Sequence, residues 1–218
     1  FQDAYTALHY RFIKGIFTFD PGVTLHYYKT TTDQVNGIVS DSYSFFRPDF
    51  RVLMKLKESE TLRLIFRSTR QFTDINNLAE GFIFRNYNSF FRGNPNLEAA
   101  FFNVVNLNYQ SINIFNFTNI FANLSYSRRD NAIQNTTAVQ GINSVRSATN
   151  SDFPRYTYTA SGRIDKRFKN FKGGVNINFN YSDFNNVIND NPTESVNFNQ
   201  RYSANIATNF RDKPNLEV

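Results

Sequence analysis

Cysteine and tryptophan are absent from this 218-residue chain, methionine occurs once and histidine twice. The missing cysteine excludes a disulfide framework, a thiolate metal site and a cysteine nucleophile. Long apolar runs are missing too: no segment approaches the roughly 18 consecutive apolar residues of a transmembrane helix. The first residues, FQDAYTALHY, lack the basic segment and apolar stretch of a secretory signal. A helical membrane protein is therefore excluded, and any cleaved signal lies outside these residues.

What the chain has instead is 25 phenylalanines and 12 tyrosines, interleaved with Asn, Arg, Ser and Thr. Mean hydropathy is only −0.49, although the length suffices for one sizeable domain. The distribution follows a period of two, the signature of strands with two unlike faces. Val175, Ile177, Phe179 and Tyr181 alternate with Asn176, Asn178, Asn180 and Ser182. Tyr156, Tyr158, Ala160 and Ile164 oppose Arg155, Thr157, Thr159, Ser161, Arg163, Asp165 and Arg167. Val196, Phe198, Tyr202, Ala204, Ile206 and Phe210 oppose Asn197, Asn199, Arg201, Ser203, Asn205 and Asn209, and Phe101, Val105, Leu107 and Tyr109 oppose Asn106, Asn108 and Gln110.

This pattern predicts about nine strands, near 3–14, 16–29, 45–57, 60–72, 97–110, 115–129, 154–168, 172–183 and 195–210, with a tenth beginning at the end. Most exceed the five or six residues usual in soluble sheets and suit the 9–11 tilted residues that cross a bilayer. Short connections near Lys14-Gly15, Lys57 to Thr61, Ser111 to Ile114, Lys169 to Phe171 and Arg211 to Asn215 alternate with long polar ones near 30–44, 73–96, 130–153 and 184–194. That alternation belongs to an outer-membrane barrel, with periplasmic turns at one end and extracellular loops at the other. The expected fold is all-β, an antiparallel transmembrane β-barrel of outer-membrane type, with residues 1–218 forming nine or ten strands of one larger barrel domain. Aromatic clusters at Tyr27-Tyr28, Phe45-Phe46, Phe90-Phe91 and Phe101-Phe102 would supply its interfacial girdles. A soluble β-sandwich, adhesin-like, is the alternative, since it also alternates.

Chemistry-bearing constellations are sparse. His9 and His26 fall on the polar face of the first hairpin, and a turn at Lys14-Gly15 would put His9 opposite Asp20 and His26 opposite Asp3. At that register the histidines lie about 20 Å apart, too far to share a metal. Each His–Asp pair is half of a hydrolytic site at most, and a cross-strand polar pair is the simpler reading. No phosphate loop, metal-ligand spacing or nucleophile elbow occurs, so no catalytic residue, metal or cofactor is expected. The net charge of +6 invites a nucleic-acid reading. However, Arg63, Arg67, Arg129, Arg163, Arg167 and Arg201 sit on the polar faces of separate strands rather than in one patch. They are candidate lumen-facing residues, suited to anionic or hydrogen-bonding cargo or to a folded plug.

The segment FFRGNPNLEAAFF raises a different expectation. Gly93 would supply a backbone conformation closed to other residues, Asn94 would start a turn, Pro95 would fix φ, and Leu97 would open the next strand. The motif is read as structural: it sets a register whose slip by one residue would turn Asn106 and Asn108 outward.

The succession LRLIFRSTRQF, a long loop, FFRGNPNLEAAFFNVVNLNYQ and FNFTNIFANLSYSRRDNAI resembles the barrel of TonB-dependent outer-membrane receptors, most of all the receptor-like barrels of Bacteroidetes. Gly93, Asn94, Pro95 and Leu97 match one element, and Tyr126-Ser127-Arg128 with Ile133 the end of the following strand. The resemblance implies a barrel of about 22 strands in the bacterial outer membrane, enclosing an N-terminal plug and importing a ligand without being an enzyme. The implied partners are outer-membrane lipid and lipopolysaccharide, the chain's own plug, the TonB energy-coupling complex and a surface lipoprotein. No plug or TonB box is visible here, the first residue is not Met, and the sequence stops just after a short turn, so a longer polypeptide is expected. A barrel for protein export, surface assembly or scaffolding is the runner-up function, and an outer-membrane hydrolase the third.

Overall fold

A computed structural model describes residues 2–34, 37–188, 191–208, 210, 215 and 216. Its strands are β1 (Gln2–His9), β2 (Phe12–Lys14), β3 (Phe17–Gln34), β4 (Gly37–Lys57), β5 (Glu60–Gln71), β6 (Phe82–Asn86), β7 (Ser89–Arg92), β8 (Ala100–Asn113), β9 (Thr118–Asp130), β10 (Ile133–Gln140), β11 (Asn143–Asn150), β12 (Arg155–Phe168), β13 (Phe171–Ile188) and β14 (Asn191–Thr208). The wall is an antiparallel meander in the order β1-β3-β4-β5-β8-β9-β12-β13-β14, with β2 continuing β1 along the edge of β3. The nine strands expected from the periodicity between residues 3 and 208 are therefore present. The expected turn at Arg211 to Asn215, the facing of Asn209 and the tenth strand fall outside the described residues.

The register converts the period of two into rows that cross the whole wall. One row runs Phe12, Phe19, Val52, Leu64, Leu107, Leu124, Ala160 and Phe179, each the direct cross-strand partner of the next. The row beside it runs Arg63, Asn108, Asn123, Ser161, Asn178 and Arg201. Side chains alternate faces along a strand, so adjacent rows belong to opposite faces. Asn123 donates its side-chain amide to Asn108 across the strands at 2.7 Å. The apolar row has no such partner and needs none in lipid.

Nothing covers the apolar face. Among the described residues only Tyr28, Phe45, Phe91, Ala100, Ala132 and Ala148 are buried apolar side chains, while Leu124 is 54% exposed and Ile206 57%. Total accessible surface is 15330 Å², against about 10,000 Å² for a soluble monomer of this mass. A sandwich would bury that excess between two sheets, and this chain does not.

Aromatics close the apolar face at both ends. Tyr126, Tyr158, Tyr181 and Phe198 form one cross-strand row toward the long connections, with Tyr126 and Tyr158 rings 5.1 Å apart. Phe168 and Phe171 pair at the short-turn end. Ten residues separate Tyr158 from Phe168, about 33 Å along a strand and about 25 Å once the strand is tilted by about 40°. This is the height of an outer-membrane apolar band, and tyrosine takes the interfacial place that tryptophan often holds.

Two expectations about the connections need correction. Residues 30–34, 37–44, 184–188 and 191–194 are strand rather than loop: β3 and β4 stay paired to Gln34↔Gly37, and β13 and β14 to Ile188↔Asn191. These strand ends project beyond the apolar band, so backbone ladder bonds hold them without a strict apolar alternation. The connections 73–96 and 130–153 contain the hairpins β6-β7 and β10-β11. β10 adds in parallel to the outer end of β13, and β7 in parallel to β11. β12 begins below this level, at Arg155, so the upper edge of β13 is open to β10. The outer end of the wall is thus an extended sheet rather than a fringe of loops.

Candidate functional site

The first hairpin turns at Gly15-Ile16, not Lys14-Gly15, with Gly15 at φ 57° and Lys14 opposite Phe17. This shifts the register by two residues, which preserves the faces but changes the partners. His9 lies opposite Gly22 rather than Asp20, and Asp20 is taken by Arg11 at 2.7 Å. His9 instead reaches over β3 toward Asp49, 3.4 Å away. Gly22 makes that possible: a Cβ there would sit 2.3 Å from the His9 ring. His26 is directly opposite Tyr5, with Asp3 one step diagonal.

His26 is only 5% exposed and anchors a network across four strands. Arg47 Nη1 contacts His26 Nε2 at 2.9 Å, and Arg47 Nε donates to the Ser68 carbonyl at 3.1 Å. A guanidinium can only donate, so Nε2 accepts and the ring hydrogen sits on Nδ1, which donates to Asp3 at 2.9 Å. Both ring nitrogens are thereby engaged, and neither is left to take a proton from a nucleophile. Rings stack on the imidazole from three sides, with centroids at 5.2 Å for Tyr28, 5.4 Å for Tyr5 and 5.6 Å for Phe45. Arg47 has no sequence signal that marks it, since its partners are distant in the chain, and Phe45, expected in an interfacial girdle, is instead buried against His26 on the polar face.

His26→Leu should lower stability by about 1–3 kcal/mol, because it removes Arg47's acceptor and Asp3's donor from a site nearly closed to water. The urea midpoint of the folded protein in detergent checks this, and an unchanged midpoint would show that the network holds nothing together.

The other polar-face arginines are spread across the wall. Arg67 stands opposite Asp49 and Val104, Arg63 opposite Leu53 and Asn108, and Arg201 opposite Asn178. Arg163 closes onto Asp165 with two bonds, 2.5 and 3.1 Å, and Arg167 lies over the Phe117 ring at 5.7 Å. Arg129 faces Arg155 directly. The structure therefore keeps Arg63 and Arg201 at opposite ends of one row, with four strands between them, and places Arg163 and Arg167 on one strand, while Arg129 gains a partner, Arg155, that the sequence pattern puts on the same face without pairing the two.

Gly93, Asn94, Pro95 and Leu97 stand at the outer end, where they fasten the loop of 73–96. The Asn94 side chain accepts from the Asn96 amide at 3.0 Å, and the Leu97 amide bonds the Asn94 carbonyl at 3.4 Å, a turn with proline in its second place. Gly93 does not adopt a left-handed φ. It is small because the backbone of residues 77–79 crosses it: a Cβ would lie 2.6 Å from both the nitrogen and the oxygen of Ala79. Just beyond, the Asn150 side chain accepts from the Glu98 amide at 2.9 Å and donates to the Glu98 and Asn131 carbonyls at 2.9 and 3.0 Å. This asparagine clamp ties the bases of the two longest connections together.

A profile of the outer membrane protein β-barrel family matches residues 2–218, essentially the whole chain. No curated protein sequence matches it. Among solved structures, the FrpB iron transporter from Neisseria meningitidis (F3-3 variant) superposes with a TM-score of 0.66 at 15% identity, covering 99% of this chain and 31% of that one. The copper transporter OprC gives 0.63 at 10% identity, covering 94% of this chain and 35% of that one. This chain thus spans about a third of the length of those proteins, and at such identities the likeness is one of fold. Paired strands of membrane-crossing length, an apolar band with aromatic borders and a family match over nearly every residue lead to one assignment: the chain belongs to the outer membrane protein β-barrel family and resides in the bacterial outer membrane.

Proposed function

We propose that these residues form part of one barrel domain of a TonB-dependent receptor, which imports a ligand through a lumen lined by the polar face. The observation that carries the reading is the superposition of 99% of the chain on the barrel of a transporter, combined with a polar face lined by arginine and asparagine rows. Arg63, Arg67, Arg129, Arg163, Arg167 and Arg201 then face the lumen. There those inside the apolar band avoid a cost that rises to about 2–4 kcal/mol for a basic side chain facing the bilayer midplane. The Gly93-Asn94-Pro95 turn and the asparagine clamp hold the outer hairpins at the mouth, so the entrance is shaped by ordered strands. A plug elsewhere in the polypeptide would gate the lumen, TonB would supply the energy, and lipopolysaccharide and a surface lipoprotein would be the outward neighbours. The chain's own polar-face residues offer binding and orientation to such a ligand.

In-cell photocrosslinking between the intact protein and TonB tests this without knowledge of the ligand. An adduct that disappears when the TonB carboxy-terminal domain is removed is expected. If a control receptor gives the adduct and this protein gives none, the barrel serves export or scaffolding instead.

A further inference from the structure

We propose that Arg129 and Arg155 together form a binding site for an oxyanionic group, a carboxylate or a phosphate, at the outer end of the polar face. The inference rests on the polar face being the lumen of an importer, and it gives the imported ligand a chemical feature. The pair belongs to a cross-strand row that runs Phe102, Arg129, Arg155 and, one position beyond the last paired residues, Phe184. Two like charges directly opposite each other disfavour a sheet, so the arrangement needs a compensating group. Neither arginine has an acidic partner among the described residues. Three other arginines show what such a partner looks like. Arg11 closes on Asp20, Arg128 on Asp130 and Arg163 on Asp165.

Geometry adds a second argument. The Nε atoms of Arg129 and Arg155 are both shut off from solvent and lack a hydrogen-bond partner. An unmade bond at a buried charged donor is costly, and two guanidinium forks side by side match the paired oxygens of a carboxylate or phosphate. The rings hold the forks in place: Arg129 lies over Phe102 at 5.0 Å and Arg155 over Phe184 at 4.8 Å. Fixed planes lose less freedom on binding than free arginines do. The apolar rims favour an acid carried on a ring or hydrocarbon frame over a fully hydrated ion.

Calorimetric titration of the intact protein, purified in lipopolysaccharide-free detergent, is the test, with inorganic phosphate and benzoate as probes. Saturable binding of at least one probe is expected, with affinity falling at least tenfold in Arg129→Gln and in Arg155→Gln. Lys57→Gln, an exposed lysine held by Glu60 at 3.0 Å at the opposite, short-turn end of the wall, should leave it within twofold. Arg155→Lys keeps the charge and loses the fork, and should also weaken binding if either glutamine variant fails to fold. No saturation in the wild-type protein, or equal affinity in all four variants, would overturn the proposal. So would binding of lipopolysaccharide alone, which would put the pair among lipid headgroups. Because no transport is measured, a protein that crosslinks to TonB yet binds neither probe sinks this inference and leaves the import reading standing; the opposite result does the reverse.

Discussion

Phe179→Arg should abolish assembly of the barrel, while Asn178→Arg, one residue away, should leave it intact. Phe179 sits in the apolar row next to Ala160, with the rings of Tyr202 at 5.7 Å and Phe198 at 6.5 Å. Arginine there would face hydrocarbon two residues inside the Tyr181 border, at a cost between the about 0–1 kcal/mol of the interface and the about 2–4 kcal/mol of the midplane, and would also remove the aromatic contacts that hold the row together. Asn178 lies on the other face, opposite Ser161 and Arg201. A further arginine would add some repulsion to Arg201 but no burial in lipid. Folded outer-membrane barrels migrate faster on gels before boiling than after it, and that shift reads the folded fraction directly. Phe179→Arg should lose the fast band. If both variants fold equally well, the assignment of faces is wrong.

Gly93→Val should release the outer hairpin β6-β7 without unfolding the wall. The crowding comes from backbone atoms, the nitrogen and oxygen of Ala79 and the oxygen of Asn77, all within 2.7 Å of the added Cβ. Those atoms are held in place. The Asn94 amide bonds the Asn77 carbonyl at 2.6 Å, and the Asn77 amide bonds the Asp74 carbonyl at 3.0 Å. Overpacking of this sort costs about 1–3 kcal/mol. The strands of the wall are paired independently of this loop, so the cost falls on the hairpin's docking. Protease added to intact cells should cut between residues 73 and 96 at least tenfold faster than in the wild-type protein, with the gel shift retained. Gly81→Ala is the control, since nothing lies within 4 Å of a Cβ at that position. Equal cutting rates in the two variants would mean that the crossing at Gly93 does not hold the loop.

Much of the wall was legible in the sequence. The strand periodicity of segments such as Val175 to Ser182 survives because a bilayer on one side and polar surroundings on the other impose unlike chemistry on alternate residues. Where that demand ends, legibility ends too. Residues 30–34, 37–44, 184–188 and 191–194 pair as strands but read as loops, since beyond the band no apolar alternation is required of them. The position of the first turn was read one residue early, which moved His9 from Gly22 to Asp20 while keeping it on the same face. Parity is fixed by the pattern, whereas register within that parity is decided by the turn and by which side chains fit, here the imidazole over a glycine.

The polar-face chemistry was less accessible. His26 with Asp3 was readable as a pair, but Arg47 and Phe45 join it only because β4 lies beside β3. Gly93 was recognised as necessary for the wrong reason: the sequence suggests a left-handed glycine, and the structure shows a backbone crossing.

The sequence alone determined that this protein is a sheet with one face for lipid and one for water, because side-chain alternation is a local property that each strand records in full. Only the tertiary structure decided that Arg129 meets Arg155, that Gly93 lies under residues 77–79, and that two loop hairpins extend the wall in parallel. Those contacts join residues from 14 to 55 positions apart, and their energies depend on neighbours that no local pattern names.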